Sequence, residues 1–208
     1  MTDFFKIEVA TTLWGDYGVI LAHGVWGQNR FNEYGVLDLS KPLKGMRTGP
    51  FVPDLTLNSQ NLVIPDRSRR LLEELGATKF SPADLEKAGW IPWHEWGLLA
   101  PEPKKYPPGG EPFNYLDRLP DSDKAREAIG DIWEVMFETT AEFSSTKIGV
   151  RSWRRNIRVD SWNGADVFQA YNPNTQSRGF FATAKGRSVI EQQMDVEKFI
   201  SFKEAGVF

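Results

Sequence analysis

Leu62-Val63-Ile64-Pro65-Asp66-Arg67-Ser68-Arg69-Arg70-Leu71-Leu72-Glu73 lies over Phe180-Phe181-Ala182-Thr183-Ala184-Lys185-Gly186-Arg187-Ser188-Val189-Ile190-Glu191, with Arg69 meeting Arg187 and Glu73 meeting Glu191. After a one-residue insertion, Lys79-Phe80 falls on Lys198-Phe199. Each copy reads as an apolar strand, a helix bearing an apolar pair, and a second strand with a buried Phe. In the first copy Pro65 and Asp66 open the helix, Leu71, Leu72 and Leu75 share a face, and Gly76 ends it. In the second, Thr183 supplies the N-cap. Neither copy holds a glycine-rich phosphate loop, so no nucleotide site is implied. The fold class that follows is α+β: short strands in mixed or antiparallel sheets with a few packed helices. The chain is then one compact unit over 1–208, which the repeat allows to be two lobes, 1–96 and 121–208, joined by a proline-rich loop over 97–120.

Outward from these copies, short strands are predicted at Phe4–Val9, Gly18–Trp26, Gly35–Leu39 and Leu55–Leu57, separated by turn residues. Ser81-Pro82-Ala83-Asp84 has the form of a helix start, with a hydroxyl cap and proline in the first turn, and predicts a short helix to Gly89. Six prolines between Gly97 and Pro120, with Gly109-Gly110, forbid a continuous helix or central strand and predict a long loop. Three- and four-residue spacing of Ala125, Ala128, Ile129, Ile132, Trp133, Met136 and Phe137 predicts one helix over Ser122–Glu142. Strands then return over Ile148–Ile157 and Asp166–Ala170.

Composition narrows the chemistry. The 208 residues are 40% hydrophobic and 13% aromatic, enough large side chains to build a core without staples. With no cysteine, disulfides, thiolate nucleophiles and cysteine metal sites are excluded. The start, Met1-Thr2-Asp3-Phe4-Phe5-Lys6, lacks the basic and apolar regions of a signal peptide, and no uncharged apolar run reaches about 18 residues. A cytoplasmic protein with no membrane partner is the expectation. A formal charge of −3 makes nucleic acid an unlikely partner for the molecule as a whole.

Two histidines, His23 and His94, leave little scope for imidazole catalysis or a histidine metal cluster. His23 follows an apolar run and reads as a hydrogen-bonded structural residue. The nucleophile elbow, P-loop, dinucleotide fingerprint, zinc helix and calcium loop are all missing. The expectation is therefore no catalytic residue, no cofactor and no metal, although a motif-free carboxylate pair is invisible to this reasoning.

Two segments stand out as surfaces. Trp90-Ile91-Pro92-Trp93-His94-Glu95-Trp96-Gly97 carries three tryptophans, which suit an interaction hot spot, a sugar platform or a cap on the core. Trp93, Glu95 and Trp96 are the candidate partner-binding residues. Arg151-Ser152-Trp153-Arg154-Arg155-Asn156-Ile157-Arg158 alternates as a half-buried strand does, with Arg154, Asn156 and Arg158 on one side and Trp153, Arg155 and Ile157 on the other. It also has the residues to grip phosphates and stack a base.

The pattern of Asn61 to Phe80 resembles immunity proteins encoded beside bacterial polymorphic toxins. Ala165-Asp166-Val167-Phe168, then Phe180-Phe181-Ala182-Thr183 and the helix ending near Phe199, is similar to the closing segment of those families, including a double-CxxCG group. The cysteine pairs of that group are absent here, so its metal site is not carried over. The resemblance implies a cytoplasmic protein that binds a cognate toxin and blocks it without chemistry. A mildly acidic chain suits a basic, nuclease-like partner. Two other classes stay open: a carbohydrate-binding module or hydrolase using the Trp-rich segment, and a nucleic-acid-binding module using Arg151–Arg158. Oligomeric state is not legible.

Overall fold

In the computed structural model the described residues are 2–11, 13–35, 38–58, 61–76, 79–104, 111–137 and 141–208. The strands are β1 (Phe4–Val9), β2 (Val25–Trp26), β3 (Lys44–Gly49), β4 (Thr56–Asn58), β5 (Asn61–Pro65), β6 (Lys79–Pro82), β7 (Asp84–Trp90), β8 (Ile132–Met136), β9 (Ala141–Lys147), β10 (Trp153–Ile157), β11 (Val167–Asn172), β12 (Ser177–Thr183) and β13 (Ile200–Val207). The helices are α1 (Gly15–His23), α2 (Arg69–Glu74), α3 (Trp93–Trp96), α4 (Pro112–Arg118), α5 (Asp123–Ile129) and α6 (Ala184–Gln193). The fold is α+β, with mixed and antiparallel pairing.

The related segments become two copies of one unit. In the first, the sheet order is β4-β5-β8-β6, and α2 connects β5 to β6 across the intervening antiparallel β8. In the second, β11-β12-β1-β13 run in the same order, and α6 connects β12 to β13 across the antiparallel β1. Their registers agree residue by residue. Ile64 faces Trp133 as Ala182 faces Phe5, and Phe80 faces Val135 as Phe202 faces Ile7. Leu71 and Val189, paired in the sequence, are both half-buried on their helices, but the partner of Phe80 is Phe202, and Phe80 is half-buried where a buried Phe was expected. Phe199 lies in the turn before β13, because the link from α6 to its strand is longer than that from α2.

The middle strand comes from opposite ends of the chain: β8 follows the first unit and β1 precedes the second. The ranges 1–96 and 121–208 consequently exchange strands and are not separate lobes. In the second unit the β9–β10 hairpin closes the sheet into a barrel, with β9 parallel to β11 and β10 parallel to β13. Beside the first unit lies a small sheet, β2-β3-β7.

Alternation within the strands gives each sheet two apolar faces. Phe4, Phe143, Ile157, Phe168 and Phe181 fill the barrel. The opposite faces, carrying Ile7, Phe180 and Ala182 from one unit and Ile64 and Val135 from the other, join Leu72 and Ile190 in the main core. Trp26, Leu43, Val63, Ala125, Ile129 and Ile132 form a third cluster between the first unit, the small sheet and α5.

Several predicted elements are overturned in whole or in part, and the strand expected over Ile148–Ile157 begins only at Trp153. The helix expected over Ser122–Glu142 stops at Ile129: Gly130 takes φ +66°, and β8 begins at Ile132. A central strand buried on both faces shows no alternation, so Ile132, Trp133 and Met136 mimic a helical stripe. Residues 138–140 of that range lie outside the described residues, and β9 begins at Ala141. The cap-like Ser81-Pro82-Ala83-Asp84 leads into β7, with Ala83 and Asp84 donating to the Ile132 and Leu43 carbonyls at 3.0 and 2.9 Å. Pro82 is tolerated because β6 is a sheet edge. Gly18–Trp26 is mostly α1, bounded by Gly15 and Gly24 at positive φ, since the run Val19-Ile20-Leu21-Ala22 satisfies either period. In the segment Gly35–Leu39, Gly35, Asp38 and Leu39 lie in turn or irregular backbone, and Val36 and Leu37 are outside the described residues. Within the predicted loop 97–120, residues 112–118 form α4, with Pro112 in the first turn, where its missing N–H costs nothing. Pro107, Pro108 and Gly109-Gly110 lie outside the described residues.

Candidate partner-binding surface

The segment containing Trp93, Glu95 and Trp96 forms the single turn α3 at the end of β7. Ile91 N–H donates to the Gly49 carbonyl at 2.9 Å, which continues the β3–β7 ladder and anchors buried Ile91. Beyond that anchor Glu95 N–H bonds the Pro92 carbonyl at 2.8 Å, and Gly97 turns the chain at φ +29°. Both indoles are half-buried and pack against the main core, but on different rings.

The ring of Trp93 meets Phe51 edge-on at 5.4 Å, and Phe51 in turn lies 5.1 Å from Phe199. The Trp93 indole N–H is buried and has no hydrogen-bond partner among the described residues. Trp96, half-buried like Trp93, joins a ladder that runs from buried Trp14 to half-buried Tyr17. Its ring lies 6.3 Å from Trp14 and stacks on Tyr115 at 6.0 Å, and Tyr115 lies 6.4 Å from Tyr17. Trp14 is pinned by donation from its indole to the Ala100 carbonyl at 2.8 Å. Burial, then the neighbouring Tyr17, raises the Tyr115 pKa, so this phenol stays neutral at physiological pH.

Trp96, Tyr115 and Tyr17 are half-buried, whereas Glu95, Leu99 and Phe113 on the same segments are exposed. Asp16, Glu102 and Glu111 on the flanking segments are exposed too. The result is an aromatic platform with charged neighbours of both signs, since Lys104 and Arg118 on these segments are exposed as well. Trp14, Tyr17 and Tyr115 escaped the sequence reading because α1 and α4 meet α3 only in three dimensions, and no local spacing announces the encounter.

The other singled-out residues have structural partners. His23 ends α1 fully buried, accepting from Leu57 N–H through Nδ1 at 3.4 Å. Burial, then nearby Arg47, pushes its pKa down to about 4, so the ring is neutral at pH 7. Arg47 is also fully buried and donates to the carbonyls of Thr48, Ala22 and Phe51. Burial, then Arg67, lowers its pKa to about 10, still high enough to keep it charged. His94 is exposed beside Glu95 at 3.4 Å. In β10 the predicted alternation holds at Ile157, which is buried, and Arg154 and Arg158 are taken up by Glu204 and Glu142 at 3.2 and 2.6 Å. Among the described residues, no group of three or more His, Asp or Glu side chains is placed to hold a metal ion. No helix among them is long and apolar enough to cross a membrane.

No protein-family model matches the chain, and no curated protein matches it either.

Proposed function

We propose that this protein is a bacterial immunity protein: in the cytoplasm it binds a cognate protein toxin and blocks it by occlusion. The observation that carries the reading is the ladder Trp14–Trp96–Tyr115–Tyr17 with its exposed acidic neighbours. Aromatic anchors bury large area at small entropic cost, and a surrounding ring of charge steers and orients the partner. Glu95 and Asp16 favour a basic partner, the character of a nuclease that grips phosphates. The segments that resemble toxin-immunity proteins are also those that form the two matched units, so the likeness covers the framework and the platform supplies the contact.

Within this reading Trp96 is the anchor and Glu95 its charged neighbour, with Trp93, packed on Phe51, as support. Expression of a toxin encoded beside this gene should kill cells, and co-expression of this chain should rescue them. Trp96→Ala combined with Glu95→Lys, in a protein with an unchanged melting temperature, should abolish rescue. Full rescue by that variant would move the interface elsewhere, and failure of the wild-type chain to rescue would remove the immunity reading.

A further inference from the structure

The strand registers sort the barrel interior into an apolar end and a charged end. Phe4, Phe143, Phe168 and Phe181 close the first. Toward the end carrying the β9–β10 and β11–β12 turns, the same inward alternation brings Lys6 opposite Lys203, Ser145 opposite Arg155 and Lys147 opposite Trp153. Glu8, the next inward residue of β1, is held between Lys6 and Lys203 at 2.6 and 2.5 Å. Burial alone would raise its pKa, but the hydrogen bonds from Lys203 and Lys6 outweigh that and lower it, so it stays ionised. The Arg155 guanidinium bonds the Ser145 hydroxyl at 2.6 Å, and Asn172 reaches the same hydroxyl at 3.4 Å. Four cations thus share one end of the barrel with a single inward carboxylate, in a protein whose net charge is negative.

Trp153, inward by register, lies at the rim and is 54% exposed, and Val150 in the adjoining turn is 90% exposed. An indole left open beside Lys147 and Arg155 combines a stacking face with positive charge, the pairing by which proteins hold bases and phosphates together. Small-ligand sites recur at the mouths of β-barrels for the same reason: the strands fix side chains from several segments around one axis. In the first unit, the residue in register with Lys6 is Glu134, which is fully paired with Arg30 in a buried site. Only the second unit leaves this position facing excess charge.

We propose that the polar mouth of the barrel binds a phosphorylated nucleoside, free or as a unit of a single strand, with its phosphate on Arg155 and the lysines and its base on Trp153. The site is separate from the aromatic platform and does not depend on the toxin reading.

The test is a titration of the full chain at low salt with inorganic phosphate, a nucleoside monophosphate and a fluorescent single-stranded oligonucleotide. Both nucleotide probes should saturate the protein more tightly than phosphate, and binding should fall steeply as salt rises. Affinity that grows with strand length assigns a single strand, and equal affinity per nucleotide assigns a free nucleotide. Arg155→Ala should weaken both by about tenfold or more, the effect of losing a charge-assisted bond. Glu8→Gln, which removes the competing carboxylate, should tighten them. Trp153→Ala should weaken nucleotide binding and leave inorganic phosphate unchanged. If Arg155→Ala fails to fold, Lys203→Met and Trp153→Ala, both at exposed side chains, decide the matter. No saturable binding, affinities unaltered in folded variants, or equal binding of a glutamate-rich peptide would overturn the proposal, the last by assigning the mouth to an acidic protein segment.

Discussion

Arg69 and Arg187 occupy the same place in the two units and lie over corresponding rings, although Arg69 pairs with Asp66 and Arg187 with Glu191. The Arg69 guanidinium lies 4.0 Å from the Trp133 ring of the middle strand and 5.3 Å from Phe80 of the closing strand. That of Arg187 lies 4.8 Å from Phe5 and 5.7 Å from Phe202. Each arginine roofs two adjacent strands with its helix, so one of the few identities between the copies has a packing cause. Replacing either by Met keeps the aliphatic stem and removes the stacked cation, and should cost about 1–2 kcal/mol. Urea midpoints of R69M and R187M check this, and a loss at only one site would mean that the two contacts are not equivalent.

Buried Arg30 grips Glu134 through two bonds of 2.6 Å, and its Nη1 also reaches Asn61 at 3.2 Å. Removing one partner strands the other charge. Glu134→Gln should therefore destabilise the fold by about 3–5 kcal/mol, whereas Arg30→Met with Glu134→Met should recover most of that loss. A double-mutant cycle on chemical denaturation measures the coupling, and independent, additive effects would be inconsistent with a buried pair.

His23 makes acid destabilising. Its pKa is 6.5 unperturbed and about 4 in the fold, so between these values the unfolded chain takes up a proton that the native state refuses. Stability from this residue is complete above about pH 6.5, falls as pH drops toward 4 and levels off below, by on the order of 3 kcal/mol in all. Unfolding free energies from pH 7.5 to 4 should fall less for His23→Gln than for the wild type. Identical slopes would show that carboxylates alone govern the decline.

Thr183 caps α6 by accepting from Gly186 N–H at 3.1 Å, and its hydroxyl donates to Asp166 at 2.7 Å. A Cβ on Gly186 would run into the Asp166 carbonyl, so the cap and the close approach of the helix are one arrangement. Thr183→Ala should cost about 1 kcal/mol, and Gly186→Ala more, as read from thermal melts. A neutral Gly186→Ala would mean that the helix can move away.

Reading the sequence recovered the matched strands and helices around Leu62–Glu73 and Phe180–Glu191 because their apolar pairs, caps and breaks are local. It failed where tertiary partners decide. Val19–Ala22 and Ile132–Met136 suit either period, and β8 became a strand because β5 and β6 offer it hydrogen bonds on both edges. The Trp93–Trp96 segment was visible by composition, but the rings its indoles meet, Phe51 for Trp93 and Tyr115 for Trp96, are distant in sequence. The charged barrel mouth was hidden for a related reason: Lys6, Arg155 and Lys203 come from three strands, and only closure brings them together.

The division of labour between Trp93 and Trp96 can be measured in two ways on the same proteins. Trp93→Ala should lower stability by about 3 kcal/mol through the void left against Phe51, while Trp96→Ala should leave more of the stability intact and weaken partner binding. Reversed effects would exchange the two roles.

The aromatic platform is proposed as the toxin-binding surface. Its most direct test is the dissociation constant of this protein for the purified product of a neighbouring toxin gene, measured by calorimetry for the wild type, Trp96→Ala and, as a distant control, Trp153→Ala. Saturable one-to-one binding is predicted, weakened by at least about 2 kcal/mol in Trp96→Ala and unchanged in Trp153→Ala. Wild-type binding that Trp96→Ala leaves intact, or no binding at all, would contradict it.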